Sequence, residues 1–377
     1  LTITSGTFDT SYSTHPDTDL TVTGVTTIGP DSGAADQATL TCNDSTCSFG
    51  TGLTSAIALT VVTGGTFAGG GGTHTFGSLK VSNNVNSKCT MTTGTASIDS
   101  MPSAGGGRSF HTLANSTFDN ANGTIAFTSP SDQRIELGSV ADTKCFHNLT
   151  LNKGGSSDVA TFGNMRCEGD LSITLSTNYT MRPNSGSETL TVDGDCTIVE
   201  GKLGNTTTYT GDNSFGSLTI EAGGTFVATS GTTTITGVYS SPFALNNSGT
   251  FTNNDGTLLL NRAGNQEFLG TWTGSSALHH LTIDGDGGTK KIRANMLIEG
   301  DLDVTASDTF TTHGNTETIT VNGDVTASGT LGATTQTGAY SFGSLTIASG
   351  GTYIATSGTT TITVSYTHLR AHETDSY

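Results

Sequence analysis

The chain has 377 residues, with 51 Gly, 14 Lys plus Arg against 32 Asp plus Glu, and a net charge of −18. That acidic balance disfavours nucleic acid and anionic membrane as partners, and no run approaches the roughly 18 apolar residues of a membrane helix. At 32% hydrophobic residues the chain is lean for a globular core, yet Leu-x-Ile and Val-x-Phe pairs return too regularly for a disordered segment.

In chain order, Leu1-Thr2-Ile3 followed by Ser5-Gly6-Thr7-Phe8 resembles the middle of a repeat. No signal peptide is visible, and a chain that begins in mid-pattern can have lost one. Residues 1–115 form the most divergent block and carry a Gly run at 69–72. Residues 116–248 and 249–363 are two copies of one long unit. The stretch 116–127 parallels 249–260, 168–171 matches 299–302, and 188–192 matches 317–321. The closest internal match joins 210–237 to 337–364, with 21 identities in 28 positions and no gap. Every Gly before the terminal Gly237 (Val364 in the second copy) and every Thr of the TTTIT run is kept, while Asp212 and Glu221 become Ala339 and Ala348. Shape is retained and charge drifts. The last segment, 364–377, has no Gly and resembles a translated adapter or vector scar, so it is set aside from fold reasoning.

Within the unit, Leu218 and Ile220 alternate with Ser217 and Thr219, the period of a strand with one buried face. Gly223-Gly224 and Ser230-Gly231 break the chain into short Thr- and Val-rich strands and leave no room for helices. Phe215 has the opposite parity to Leu218, which places it at a corner, folded over the end of the apolar row. Fixed-period self-similarity with such strands predicts an all-β fold: an elongated right-handed parallel β-solenoid (β-helix) of irregular coils. At about 20 residues per coil there are about 18 coils, and a spacing of about 4.8 Å makes a rod of about 85 Å. A propeller would need blades of about 40–45 residues. A tandem immunoglobulin-like array is the architectural alternative, disfavoured by the short strands and the single Trp272.

The candidate chemistry is sparse. Cys145, Cys167 and Cys196 align with Ala277, Ile298 and Val325 of the next block, and Cys89 with Ala228, which predicts buried free thiols. Cys42 and Cys47, separated by four residues, can close a hairpin loop by a disulfide or stay free. No CxxC pair or Cys/His spacing points to zinc. The string Asp284-Gly285-Asp286-Gly287-Gly288 resembles the start of a calcium loop, but a third oxygen ligand is missing and Asn295 stands where Glu is needed. A Gly/Asp turn is the simpler reading. His147, His279 and His280 fall on outward or corner positions, and the Thr runs are expected to face water. A glycosidase needs two carboxylates facing one another. Here Asp170/Asp301 and Glu188/Glu317 recur from block to block, whereas a single active site should break the repeat. No catalytic, cofactor-binding or metal residue is assigned, and no cofactor is expected.

Residues 1–363, with FGSLTI at 215–220 and 342–347 and GTFTNNDGT at 249–257, resemble the repetitive Gly/Thr-rich β-solenoid surface proteins of bacteria and their phages, of adhesin or fibre type. The resemblance implies a non-catalytic structural or adhesive segment of an extracellular or cell-surface protein. Its implied partners are surface glycans and neighbouring solenoid segments, with no nucleic acid and no membrane insertion. The alternative function is a polysaccharide-active parallel β-helix enzyme, a lyase or hydrolase.

Overall fold

The computed structural model describes residues 1–11, 18–32, 34–35, 37–104, 106–138, 144–155, 158–204, 209–314 and 316–363. The tail at 364–377 lies outside them. Short strands follow one another around three faces and stack as a parallel β-solenoid of about 15 turns, with no α-helix among the described residues. One 3₁₀ turn, Gly274–Ser276, interrupts the pattern. Ladder after ladder is parallel, from Thr2–Ile3 against Thr26–Ile28 to Tyr340–Ile347 against Thr360–Ile362. Immunoglobulin-like sandwiches are antiparallel, so that alternative is excluded.

The coils are fewer and more uneven than the sequence suggests. Leu79 pairs with Leu59 on one side and Phe110 on the other, steps of 20 and 31 residues. The excess sits at corners, as in the eleven residues between the strands Thr95–Ile98 and Phe110–Thr112. A coil needs constant strands but tolerates variable corners, because lengthening an exposed loop costs only about 0.6 kcal/mol per doubling.

Inward side chains line up in columns. One runs Leu149, Leu171, Cys196, Leu218, Leu245 and Phe268. A second runs Val192, Phe215, Ile235, Leu260, Ile283, Val304 and Ala327, and leaves the core at Ile347, which is exposed. A third passes Met181, Leu203, Phe226 and Phe251, on which Trp272 packs, and continues through Met296, Ile319 and Tyr340. These belong to one core cluster reaching from Ile3 to Phe342, with no break at the sequence blocks.

The columns show how the 28-residue repeat is used. The face holding Asn213 and Phe215 continues coil by coil to Leu345 and Ile347. In the second copy those two residues correspond to Leu218 and Ile220, not to Asn213 and Phe215. The second copy is therefore turned by one face. The conserved unit is a strand with its corner, and each face accepts it because each asks for the same alternation of inward apolar and outward polar residues.

The corner itself explains Phe215. The ladder between Leu190–Leu203 and Asn213–Val227 slips where Val192/Asp195 meets Phe215/Ser217, so alternation restarts at Gly216. Phe215 and Leu218 both point inward from adjacent faces and are fully buried. A Cβ at Gly216 would meet the carbonyls of Asp193 and Gly194 at 2.5 Å, which is why only Gly fits there. The Thr run needs a correction: in Thr232–Ile235, Thr233 faces the core and is 1% exposed, while Thr232 and Thr234 point outward.

Candidate functional site

The recurring carboxylates hold corners. Asn148 Oδ1 accepts the backbone N–H of Asp170 (2.9 Å), Asp170 Oδ1 accepts that of Asp195 (2.8 Å), and Asp195 Oδ1 accepts the Ser217 hydroxyl (2.7 Å). In the last block the relay returns. His280 Nδ1 accepts the N–H of Asp301 (2.9 Å), Asp301 Oδ1 that of Asp324 (2.8 Å), and Asp324 Oδ1 the Ser344 hydroxyl (2.6 Å). Each acid thus caps a donor of the following coil, which an exposed corner would otherwise leave to water. Glu188 caps Gly163 and Ser185 (2.8 and 2.9 Å), and Glu317 lies against Gly314. Asp170 and Asp301 precede strands of different columns, Leu171–Leu175 and Leu302–Val304, so the two never face one another. His279 and His280 are half-buried with ring centroids 4.3 Å apart, and His279 Nδ1 is 3.6 Å from Asp255.

The turn that resembles a calcium loop already holds a cation of the protein's own. Lys290 Nζ, wholly buried, donates to the carbonyls of Arg262 (2.8 Å), Gly264 (3.0 Å) and Gly287 (2.9 Å) and to Asp308 Oδ1 (2.9 Å). Asp308 in turn accepts the N–H groups of Gly285 (2.9 Å) and Gly287 (3.3 Å). Asp284 and Asp286 are exposed outside this cage. Lys153 acts alike, donating to the Ser131 carbonyl at 2.9 Å, and burial pulls its ammonium down to about 8.

Four thiols match the expectation of buried, unpaired cysteines: Cys89, Cys145, Cys167 and Cys196. Burial raises all four, Cys145 to about 11. Cys42 and Cys47 are also free, and their surroundings differ. Cys42 follows the strand Ala38–Thr41, Cys47 opens Cys47–Phe49, and His74 opens His74–Phe76 in the next coil. Cys47 and His74 are ladder partners. The two sulfurs and a His74 ring nitrogen lie within 4.8 Å of one another, the one such group of three His, Cys, Asp or Glu donors among the described residues. All three side chains are fully buried. Leu20 lies beside Cys47 and Ala96 beside His74 in the ladders, and the Phe67 and Phe76 rings stand 6.1 and 6.2 Å from the imidazole. Gly70, at φ 70°, carries the next loop so close that a Cβ would meet the Asn43 carbonyl at 2.1 Å, which stacks the two loops tightly.

The hydrogen bonding fixes the imidazole. His74 Nε2 is 2.7 Å from the Gly69 carbonyl. A carbonyl only accepts, so Nε2 carries the proton and Nδ1 the lone pair. Nδ1 is buried and has no hydrogen-bond partner. Between the sulfurs a hydrogen bond pulls the Cys47 thiol down, helped by His74, and the same bond together with burial pushes Cys42 up.

No family model, curated protein or solved structure matches this chain.

Sequence spacing gave no sign of the Cys42, Cys47 and His74 cluster, and the absence of a Cys/His pattern pointed away from a metal. The interval from Cys47 to His74 is one coil, 27 residues. Only a measured coil length turns that interval into adjacency.

Proposed function

We propose that this chain is a non-catalytic structural segment of an extracellular surface protein or fibre, spacing or presenting a binding tip. The observation that carries the reading is the corner relay through Asp170, Asp195, Asp301 and Asp324. The acids that the repeats keep spend their oxygens on the chain's own N–H and O–H groups, which suits selection for shape. The turn of the second 28-residue copy by one face supports the same view. A site tied to one face would not survive such a displacement, whereas a scaffold does. In a stack of this kind each coil contacts mainly its neighbours, so stability is spread along the length. Its contacts are weak ones, to surface glycans or to neighbouring solenoid segments.

A glycan-binding screen run beside a reducing-sugar assay tests the reading. Weak or no glycan binding without release of reducing ends is expected. Turnover of any polysaccharide would replace the scaffold with a polysaccharide-active β-helix enzyme.

A further inference from the structure

We propose that Cys42, Cys47 and His74 form a binding site for one thiophilic d¹⁰ cation, Zn(II) or Cu(I), that staples two successive coils. The donor set is right for such an ion: two sulfurs and an imidazole, the ligands that select zinc and cuprous copper over calcium or magnesium. The imidazole is prepared as a ligand. Its Nε2–H is held by the Gly69 carbonyl (2.7 Å), the outer-shell bond that metal-bound histidines ordinarily make. Its Nδ1 is buried without a partner, an arrangement that is costly unless something fills it.

The dimensions also fit. Donors at the 4.8 Å limit stand about 2.8 Å from a common centre, so a contraction of about 0.5 Å reaches the Zn–S distance of about 2.3 Å. Cys42 and Cys47 flank a four-residue turn, 43–46, closed by the Ser45 N–H on the Cys42 carbonyl (3.0 Å), so one short turn carries both sulfurs and the contraction falls to their side-chain torsions. The apolar wall of Leu20, Phe67, Phe76 and Ala96 offers no competing oxygen donor, which excludes hard cations. The two thiolates neutralise a divalent ion. Because His74 comes from the coil after the two cysteines, the site exists only once those coils have stacked, so the ion loads as the chain folds and releases thiol protons to solvent.

The test uses the full chain, unfolded with chelator under reducing conditions and refolded with Zn(II), with Cu(I) or with neither. One bound ion per chain and a thermal midpoint several degrees above the metal-free protein are expected, and the arm with the larger shift identifies the ion. Refolding with Co(II) reads the ligands directly: a thiolate-to-cobalt charge-transfer band is expected in the wild type, diminished in Cys47→Ser and shifted in His74→Gln. Cys89→Ser and Cys196→Ser should keep the full band. Absence of the band and of stoichiometric metal in folded wild type overturns the proposal, whatever the variants do. So does a Cys42–Cys47 disulfide in protein refolded with the ion, or equal metal retention by Cys42→Ser.

Discussion

Lys290 Nζ lies 2.9 Å from Asp308 Oδ1 with both side chains wholly buried, and three backbone carbonyls complete the cage. An ammonium here does what a bound cation would do at a Gly/Asp turn. It gathers the carbonyl ends of two coils and balances a carboxylate in the core.

From that cage follows a large, local effect. Lys290→Met leaves Asp308 charged and unpaired inside the stack, and removal of one partner of a buried pair costs about 3–5 kcal/mol. Replacing both, Lys290→Met with Asp308→Leu, should recover part of that loss. Urea unfolding of the three proteins checks it. A single variant within about 0.5 kcal/mol of wild type would show that the cage adds no net stability.

Position in the stack should outweigh position in the repeat. Leu218 is fully buried between Cys196 and Leu245, while its sequence counterpart Leu345 is only half-buried. Leu218→Ala should cost about 2–5 kcal/mol by opening a cavity, and Leu345→Ala distinctly less. Equal losses, measured by the same denaturation curves, would mean that the coils around them are equally closed.

Much of this was legible in the sequence, and the rest was not for identifiable reasons. The alternation of Leu218 and Ile220 with Ser217 and Thr219, and the Gly corners, announce a parallel coil because they are local properties of strands and turns. Coil length is not local. It depends on corner loops such as the one between Ile98 and Phe110, which carry no periodic signal. Everything that depends on coil length is hidden with it: the meeting of Cys47 and His74, the one-face turn of the second copy, and the carbonyls that Lys290 finds. The inward-facing Thr233 was missed for a different reason. Polarity argued for solvent, while the alternation of Thr232–Ile235 placed it opposite Leu258 in the core ladder.

The buried thiols make alkaline pH destabilising. Cys89, Cys145, Cys167 and Cys196 are all raised above the usual 9.0, chiefly by burial. In the unfolded chain they lose protons near pH 9, whereas the folded chain keeps them, so the folded form binds more protons there. Stability is fully present below about pH 9 and falls as pH rises beyond it. Lys153, lowered to about 8 from 10.5 by burial, and Lys144, also lowered by burial, act in the opposite sense below 10.5, and two lysines do not offset four thiols. Thermal midpoints between pH 7 and pH 10.5 should therefore fall, and Cys89→Ala with Cys196→Val should flatten the fall. A profile unchanged by those substitutions would remove the thiols as its cause.

The account rests on the claim that the recurring acids hold shape and do not act on substrate. Asp170→Ala with Asp301→Ala, assayed beside wild type for both unfolding free energy and release of reducing ends from neutral and acidic polysaccharides, tests it most directly. The expected result is a stability loss of about 0.5–1.5 kcal/mol for each relay bond removed, with no turnover by either protein. Turnover by wild type that the double variant loses while its stability stays unchanged would contradict the account.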